Sequence, residues 1–372
     1  MQNLIRLSKS SIGKAEKQAV LGVLDREHLG MGAEVQQFEQ ALTDFFGRPT
    51  VCVVNGTAAL QLALQACGIG PGDEVLVPSL TYLASFQAIS ATGAQPVACD
   101  IDSETYTIDW KDAEKRITNN TKAIMPVHYS GGIGNLLEIY KFARERKIRI
   151  VEDAAHAFGT KSNGQRVGGF GDIACFSFDG IKNITSGEGG CIVTDDQSVL
   201  EIVKDARLLG IQKDTEKRFI GERSWDFEVK IQGWRYHMSN VMAAIGIEQL
   251  KRFDKLAAVR CRRARDYDKL FENHKKIKII RHDYLDVIPH IYVIRIVGLK
   301  DREKLREKLL SKGIQTGIHY VPNHLLKFFK KDNISSFPVT DEIVSEILTL
   351  PLHPDLNEDN ISMIAKAIVD LI

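Results

Sequence analysis

Between about residues 35 and 250, short apolar runs alternate with stretches whose apolar residues recur at helical spacing. "TVCVV" (50–54) precedes "TAALQLALQA" (57–66), and "DEVLVP" (73–78) precedes "TYLASFQAISATG" (81–93). "QPVACDI" (95–101), "AIMPVHY" (123–129) and "IRIVED" (148–153) follow, with "LLEIYKFARERK" (136–147) helical between the last two. Strands alternating with helices predict an α/β domain around a mostly parallel sheet. Residues 172–194 differ: two strand-like runs, "DIACFSF" and "GCIVTDD", are separated only by a turn. Beyond them, residues 239–273 predict one or two long helices, "HIYVIRIVGL" a strand, and "REKLREKLLSKG" a helix closed by Gly313. The pattern divides the chain into a large domain, 1–254, and a smaller α/β domain, 255–372.

Composition narrows the class. A chain of 372 residues fits about two domains. Hydrophobic residues at 44% and charged residues at 26% are ordinary for a soluble globular protein. A net charge of +1 gives no electrostatic reason to expect nucleic acid or membrane partners. No run approaches the roughly 20 apolar residues of a membrane span, and the N-terminal stretch has no signal-peptide core. Of the six cysteines, Cys52, Cys99, Cys175 and Cys191 lie inside apolar runs and none forms a C-x-x-C pair. They are expected to be buried thiols, not a disulfide framework or a metal site. A cytoplasmic enzyme is the expectation.

Three stretches carry chemistry. In "VVNGTAAL" an apolar strand breaks at Asn55-Gly56-Thr57 and a helix begins, so free backbone N–H groups are available to a phosphate. The plainer alternative is that Asn55 and Thr57 only cap the helix. In "IRIVEDAAHAFG", Asp153 ends a strand, where side chains face the ligand crevice of an α/β sheet. A carboxylate there can keep a cofactor's pyridinium nitrogen protonated, or it can cap the next helix. His156 is expected one helical turn further on. In "FSFDGIKNITSGEGG", Ser177 and Lys182 flank a tight turn followed by a glycine cluster that permits close backbone approach. A lysine that condenses with an aldehyde needs such a rigid, crevice-facing site and partial desolvation of its amine. Phosphate seat, pyridinium carboxylate and lysine follow one another in the order needed to hold pyridoxal phosphate; Tyr82 in "PSLTYLAS" is a candidate to stack on its ring, the plainer alternative being a core aromatic.

"NGTAALQLALQACGIGPGDEVLVPSLTYLAS", "GAQPVACDID", "VEDAAHAFGT", "FSFDGIKNITSGEGG" and "MSNVMAAIGIEQL" together resemble the DegT/StrS-type nucleotide-sugar aminotransferases, from about Gly30 to "LPLHPDL" (350–356). The resemblance implies the fold of aspartate aminotransferase, a fold type I pyridoxal-phosphate enzyme, and a homodimer with shared active sites. It implies that Lys182 is the Schiff-base lysine, that Asp153 pairs with the pyridinium, and that His156 lies by the ring. It implies as well that Gly56, Thr57 and Ser177 bind phosphate and that Tyr82 stacks. "GIHYVP" (317–322) matches a segment lining the sugar site, which makes His319 and Tyr320 substrate candidates. The implied reaction moves an amino group from glutamate to a nucleotide-linked keto sugar. One departure stands out. Where the family often reads G-[YF]-N-Y-R-M-S, this chain has "GWRYHMS", with Arg235 at the Asn position and His237 at the Arg position. Arg235 is expected to contact cofactor phosphate or substrate, reaching the partner subunit's site from the polar stretch 214–239, which is expected to be a functional loop. A sugar dehydratase of the same fold is disfavoured because such relatives replace the lysine with histidine. A non-catalytic relative has no use for Lys182, and a Rossmann dehydrogenase lacks its G-x-G-x-x-G here.

Overall fold

A computed structural model describes residues 4–330 and 336–372. Its strands are Thr50–Val53 (β1), Glu74–Pro78 (β2), Gln95–Cys99 (β3), Thr121–Ile124 (β4), Arg149–Asp153 (β5), Lys161–Ser162 (β6), Gln165–Arg166 (β7), Ile173–Ser177 (β8), Gly190–Val193 (β9), Ile277–Ile279 (β10), Tyr292–Ile296 (β11) and Ile347–Leu350 (β12). Among the described residues, seven of them form one sheet in the order β1-β9-β8-β5-β4-β2-β3. Only the pairings of β9 are antiparallel. The segment between β8 and β9 holds no crossover helix, so β9 must run back along its neighbour. The other six strands all point one way, and their carboxyl ends share one edge.

Alternation along the strands explains how both faces are buried. Val51 and Val53 of β1, Ile173 and Cys175 of β8 and Ile192 of β9 join one core with helices Gly56–Ala66, Leu83–Ala91 and Gln197–Ala206. Cys52, Ala174, Phe176, Cys191 and Val193 point to the other face, under helices Ala33–Phe46 and Asn240–Lys251. Apolar residues on both sides of each strand are what a sheet covered by helices demands. All six cysteines are free, and Cys67 alone is not fully buried. No helix among the described residues is long and apolar enough to cross a membrane.

β10, β11 and β12 form a second, antiparallel sheet in that order, packed against helices Arg302–Ser311 and Glu358–Val369. Helix Phe253–Phe271 links the two bodies: Phe253 and Ala257 lie in the core of the large sheet, Tyr267 and Phe271 in that of the small one. Ile5 bridges to Ile314 and joins the small core as well.

Several elements differ from the sequence pattern. Helices Lys14–Asp25 and Ala33–Phe46 precede β1. β4 ends at Ile124, just before Pro126, which has no N–H for a ladder. Pro96 stays inside β3 because β3 is an edge strand. The predicted one or two helices are two, broken at Arg252 (φ −111°, ψ 12°). The expected loop 214–239 opens with a short helix, Asp214–Phe219, pinned by buried Asp214 accepting from Arg218 Nε (2.7 Å) and Ser224 N (2.9 Å).

Candidate active site

The carboxyl ends of β1, β2, β4, β5 and β8 converge on one cavity of about 450 Å³, closed on its far side by His290, His319 and Tyr320 from loops beside the small sheet. It collects Gly56, Thr57, Tyr82, Asp153, His156, Ser177, Lys182, His319 and Tyr320.

At the end of β1, Asn55 is extended and accepts Ala58 N through Oδ1 at 2.8 Å. It caps helix Gly56–Ala66, and the same helix N-terminus opens onto the cavity, so the cap leaves its N–H groups available to an anion there. Gly56 packs against Ser177: a Cβ at position 56 would lie 2.8 Å from Ser177 Cβ. Only glycine lets the helix start this close to the end of β8.

Beyond Ser177 the chain turns tightly. Asp179 N donates to Ser177 Oγ (3.3 Å), and Lys182 N donates to Asp179 O (3.1 Å). The turn delivers the Lys182 amine into the cavity, where burial above all lowers its pKa from 10.5 to about 8. Asp153 and Asp179 oppose that fall, and Arg260 adds to it.

Asp153 is the last residue of β5 and is 6% exposed. Its Oδ2 accepts from Ser85 Oγ (2.7 Å), which also meets Thr81 Oγ1 (2.9 Å), and its Oδ1 accepts Ala155 N (3.2 Å). The expected helix after β5 is absent: residues 154–159 are coil and turns, because Ala154, Ala157 and Phe158 are drawn individually into the core. Asp153 therefore caps no helix, and His156 reaches the cavity by turns. Ser85 carries no sequence signal beyond its place four residues after Thr81, at the start of the helix after β2.

The small-sheet side supplies aromatic and imidazole groups. Tyr320 OH lies 2.9 Å from His156 Nε2, and the Tyr82 and Tyr320 rings are 5.5 Å apart. Tyr129 OH donates to the His319 carbonyl, and His319 Nδ1 meets Thr349 Oγ1 at 2.9 Å. Burial first, then Lys182, pushes His319 down to about 4. The same two causes hold His156 and His290 well below 6.5, so all three rings are neutral near neutral pH. His290 also lines the cavity and carries no sequence signal beyond a position before an apolar run.

Arg235 is not brought to this cavity within the chain. It is exposed, bridges to Leu208, and faces a separate pocket with His28, Arg218, Glu222, Arg223 and His237. Of the two tryptophans in 214–239, Trp234 stacks on Tyr236 (5.6 Å, 12°) and donates to Gln65 Oε1 (2.9 Å), whereas Trp225 is 87% exposed.

The donor set fits a phosphorylated pyridine aldehyde. A helix N-terminus beside a glycine that tolerates no Cβ could seat a phosphate, the buried carboxylate suits a ring nitrogen, and the primary amine of lowered pKa suits an aldehyde.

A family model described as the DegT/DnrJ/EryC1/StrS aminotransferase family matches residues 10–369. The spore coat polysaccharide biosynthesis protein SpsC of Bacillus subtilis is 34% identical over 370 residues, covering 97% of this chain and 95% of that protein. Among solved structures, PseC of Helicobacter pylori, an aminotransferase involved in the biosynthesis of pseudoaminic acid, is similar with a TM-score of 0.91 at 26% identity over 99% of each chain. The putative sugar aminotransferase Spr1654 of Streptococcus pneumoniae is similar in its PLP form, with a TM-score of 0.91 at 28% identity over 99% of this chain and 100% of that one. Its PMP form matches at 0.90 and 30% over 98% of both.

Proposed function

The chain belongs to the DegT/DnrJ/EryC1/StrS aminotransferase family, and from that premise we propose that it moves an amino group from glutamate to a nucleotide-linked keto-deoxy sugar. The acceptor is a dTDP-, UDP- or GDP-4-keto-6-deoxyhexose, aminated at C-3 or C-4 for surface polysaccharide or glycoconjugate biosynthesis. Its relatives support the sugar class: SpsC is named for spore coat polysaccharide and PseC for pseudoaminic acid.

Pyridoxal phosphate, the cofactor, supplies when bound an aldehyde that takes up the donor's amino group and a ring that withdraws electrons. The chain supplies the rest. Gly56, Thr57 and Ser177 seat the phosphate at a helix N-terminus. Asp153, aimed by Ser85, holds a proton on the ring nitrogen. Tyr82 would stack on the ring face, and His156 would lie beside it. Lys182 would hold the aldehyde in the resting enzyme, and its free Nζ would carry a proton from the carbon bearing the amino group to the cofactor's aldehyde carbon. A pKa near 8 keeps a usable neutral fraction of that amine at neutral pH. His319 and Tyr320 stand on the sugar side.

The observation that carries this reading is the convergence of Lys182, Asp153 and the Gly56–Ser177 seat in one cavity at the carboxyl edge of the sheet. A homodimer with shared sites is part of the proposal. Arg235 is exposed and turned from its own cavity, amid outward-facing Ile220 (72% exposed), Trp225, Phe227 and Val229, which a partner would cover. So are the division into domains 1–254 and 255–372 and a cytoplasmic location. The test is to incubate the purified holoenzyme with glutamate and a panel of nucleotide keto-sugars and to follow amination by mass spectrometry. Conversion of at least one 4-keto-6-deoxyhexose nucleotide is expected. Loss of the donor's amino group without amination of any sugar in the panel would contradict the reading.

A further inference from the structure

Lys182 has a neighbour from the other body of the molecule. Its Nζ lies 3.4 Å from Nε2 of His290, which precedes β11. The His290 ring is buried, with its centroid 4.5 Å from that of His156. Its backbone is held on both sides: the N–H donates to Ser130 O (3.2 Å), and the carbonyl accepts from Arg260 Nη1 (3.1 Å). Arg260 is itself buried on helix Phe253–Phe271, and its Nη2 reaches the carbonyls of Ile181 (3.4 Å) and Lys182 (3.5 Å). One guanidinium thus ties the backbone of the lysine turn to the backbone of His290.

We propose that His290 is a positioning residue for Lys182: its Nε2 accepts a hydrogen bond from the Lys182 amine and holds Nζ in the cavity, while Arg260 fixes the two backbones at the required spacing. Donor and acceptor roles follow from chemistry. An ammonium has three N–H donors and no acceptor, so contact with it requires an unprotonated Nε2. Protonation of His290 is opposed by burial and by Lys182, His156, Arg260 and His319 around it. The neutral amine still has an N–H to donate, which leaves its lone pair directed away from the imidazole and available to the cavity. The other groups acting on Lys182 are Asp153 and Asp179, which favour its charged form, and Arg260, which disfavours it.

The inference deepens the role proposed for Lys182, and its test does not depend on cofactor chemistry. The full chain, stripped of cofactor, is pulsed with an acylating reagent from about pH 6 to about pH 11, and the pH profile of labelling on the Lys182 peptide, read by mass spectrometry, reports the amine's pKa. His290→Leu removes the acceptor, and the lost hydrogen bond to a charged group moves the Lys182 titration down by about one pH unit. His290→Gln, whose amide oxygen can take the place of Nε2, restores most of that shift. Should His290→Leu fail to fold by circular dichroism, His290→Asn replaces it, because its amide ends near the Nδ1 position and falls short of Nζ. A Leu or Asn variant that titrates as the wild type overturns the proposal, and so does a Gln variant displaced as far as Leu or Asn. Failure of the cofactor to attach at Lys182 would instead overturn the functional reading and leave this result standing.

Discussion

Replacing Lys182 by methionine exchanges the cavity's amine for an uncharged, flexible side chain of similar length. Folding lowers the pKa of this amine from 10.5 to about 8, with burial the leading cause. A fall of about 2.5 pH units corresponds to about 3 kcal/mol. The folded pKa lies below the unfolded one, so between about pH 8 and 10.5 the unfolded chain holds the extra proton and stability rises with pH. Below that window both states carry the charge and the full penalty stands; above it neither does. The cofactor-free Lys182→Met chain is therefore expected to be more stable than the wild type by about 2–3 kcal/mol at pH 7, the lower figure allowing for solvent reaching the amine through the cavity. The advantage shrinks as pH climbs through the window. Urea unfolding of both chains, followed by fluorescence at several pH values, gives the difference directly, and titrating groups far from position 182 cancel in it. A difference that does not change between pH 7 and about pH 10.5 refutes the reasoning, because an amine already solvated in the fold carries no such linkage.

Asp153→Asn keeps the size but not the charge, and transamination is expected to fall by about two orders of magnitude or more while cofactor remains bound; near wild-type turnover would leave the carboxylate without an electronic role. Gly56→Ala places a methyl 2.8 Å from Ser177 Cβ. Overpacking costs about 1–3 kcal/mol against at most about 1 kcal/mol of helix preference, so cofactor affinity by equilibrium dialysis should drop about tenfold, and unchanged affinity would remove the phosphate seat from position 56. Lys182→Ala and Arg235→Ala, each folded and inactive alone, are expected to regain activity when their subunits exchange, because one site of the mixed dimer holds both residues; no recovery despite demonstrated exchange would place Arg235 outside its partner's site.

What the chain discloses to pattern reading is mostly what lies close in sequence. Asp153 is marked by its place at the end of an apolar run, and Gly56, Ser177 and Lys182 by glycine-flanked breaks between elements. The parallel sheet then carries strand ends distant in sequence to one edge. His290 is a different case. It meets Lys182 across 108 residues, and the contact exists only because the small sheet docks against the large one. Arg260 hides in "RCRRARDYD", which resembles a solvated charged face. Its burial follows from the register it shares with Ala264, Tyr267 and Phe271, the stripe packed inward. Helix Ala33–Phe46 carries a readable signal in Val35, Phe38, Leu42 and Phe46. Helix Lys14–Asp25 carries little, since Leu21 and Leu24 face outward and its buried positions are Glu16 and Val23. The stretch after Asp153 misleads in the opposite sense: "AAHAF" favours helix locally, but core packing of Ala154, Ala157 and Phe158 overrides the preference.

We place the attachment of pyridoxal phosphate in this aminotransferase on the amine of Lys182. Borohydride reduction of the protein purified with its cofactor, followed by proteolysis and mass spectrometry, tests it most directly. The yellow absorbance is expected to be lost and a phosphopyridoxyl group to be fixed on the peptide containing Lys182. A label on another lysine, or a Lys182→Ala protein that still transaminates at the wild-type rate, contradicts it.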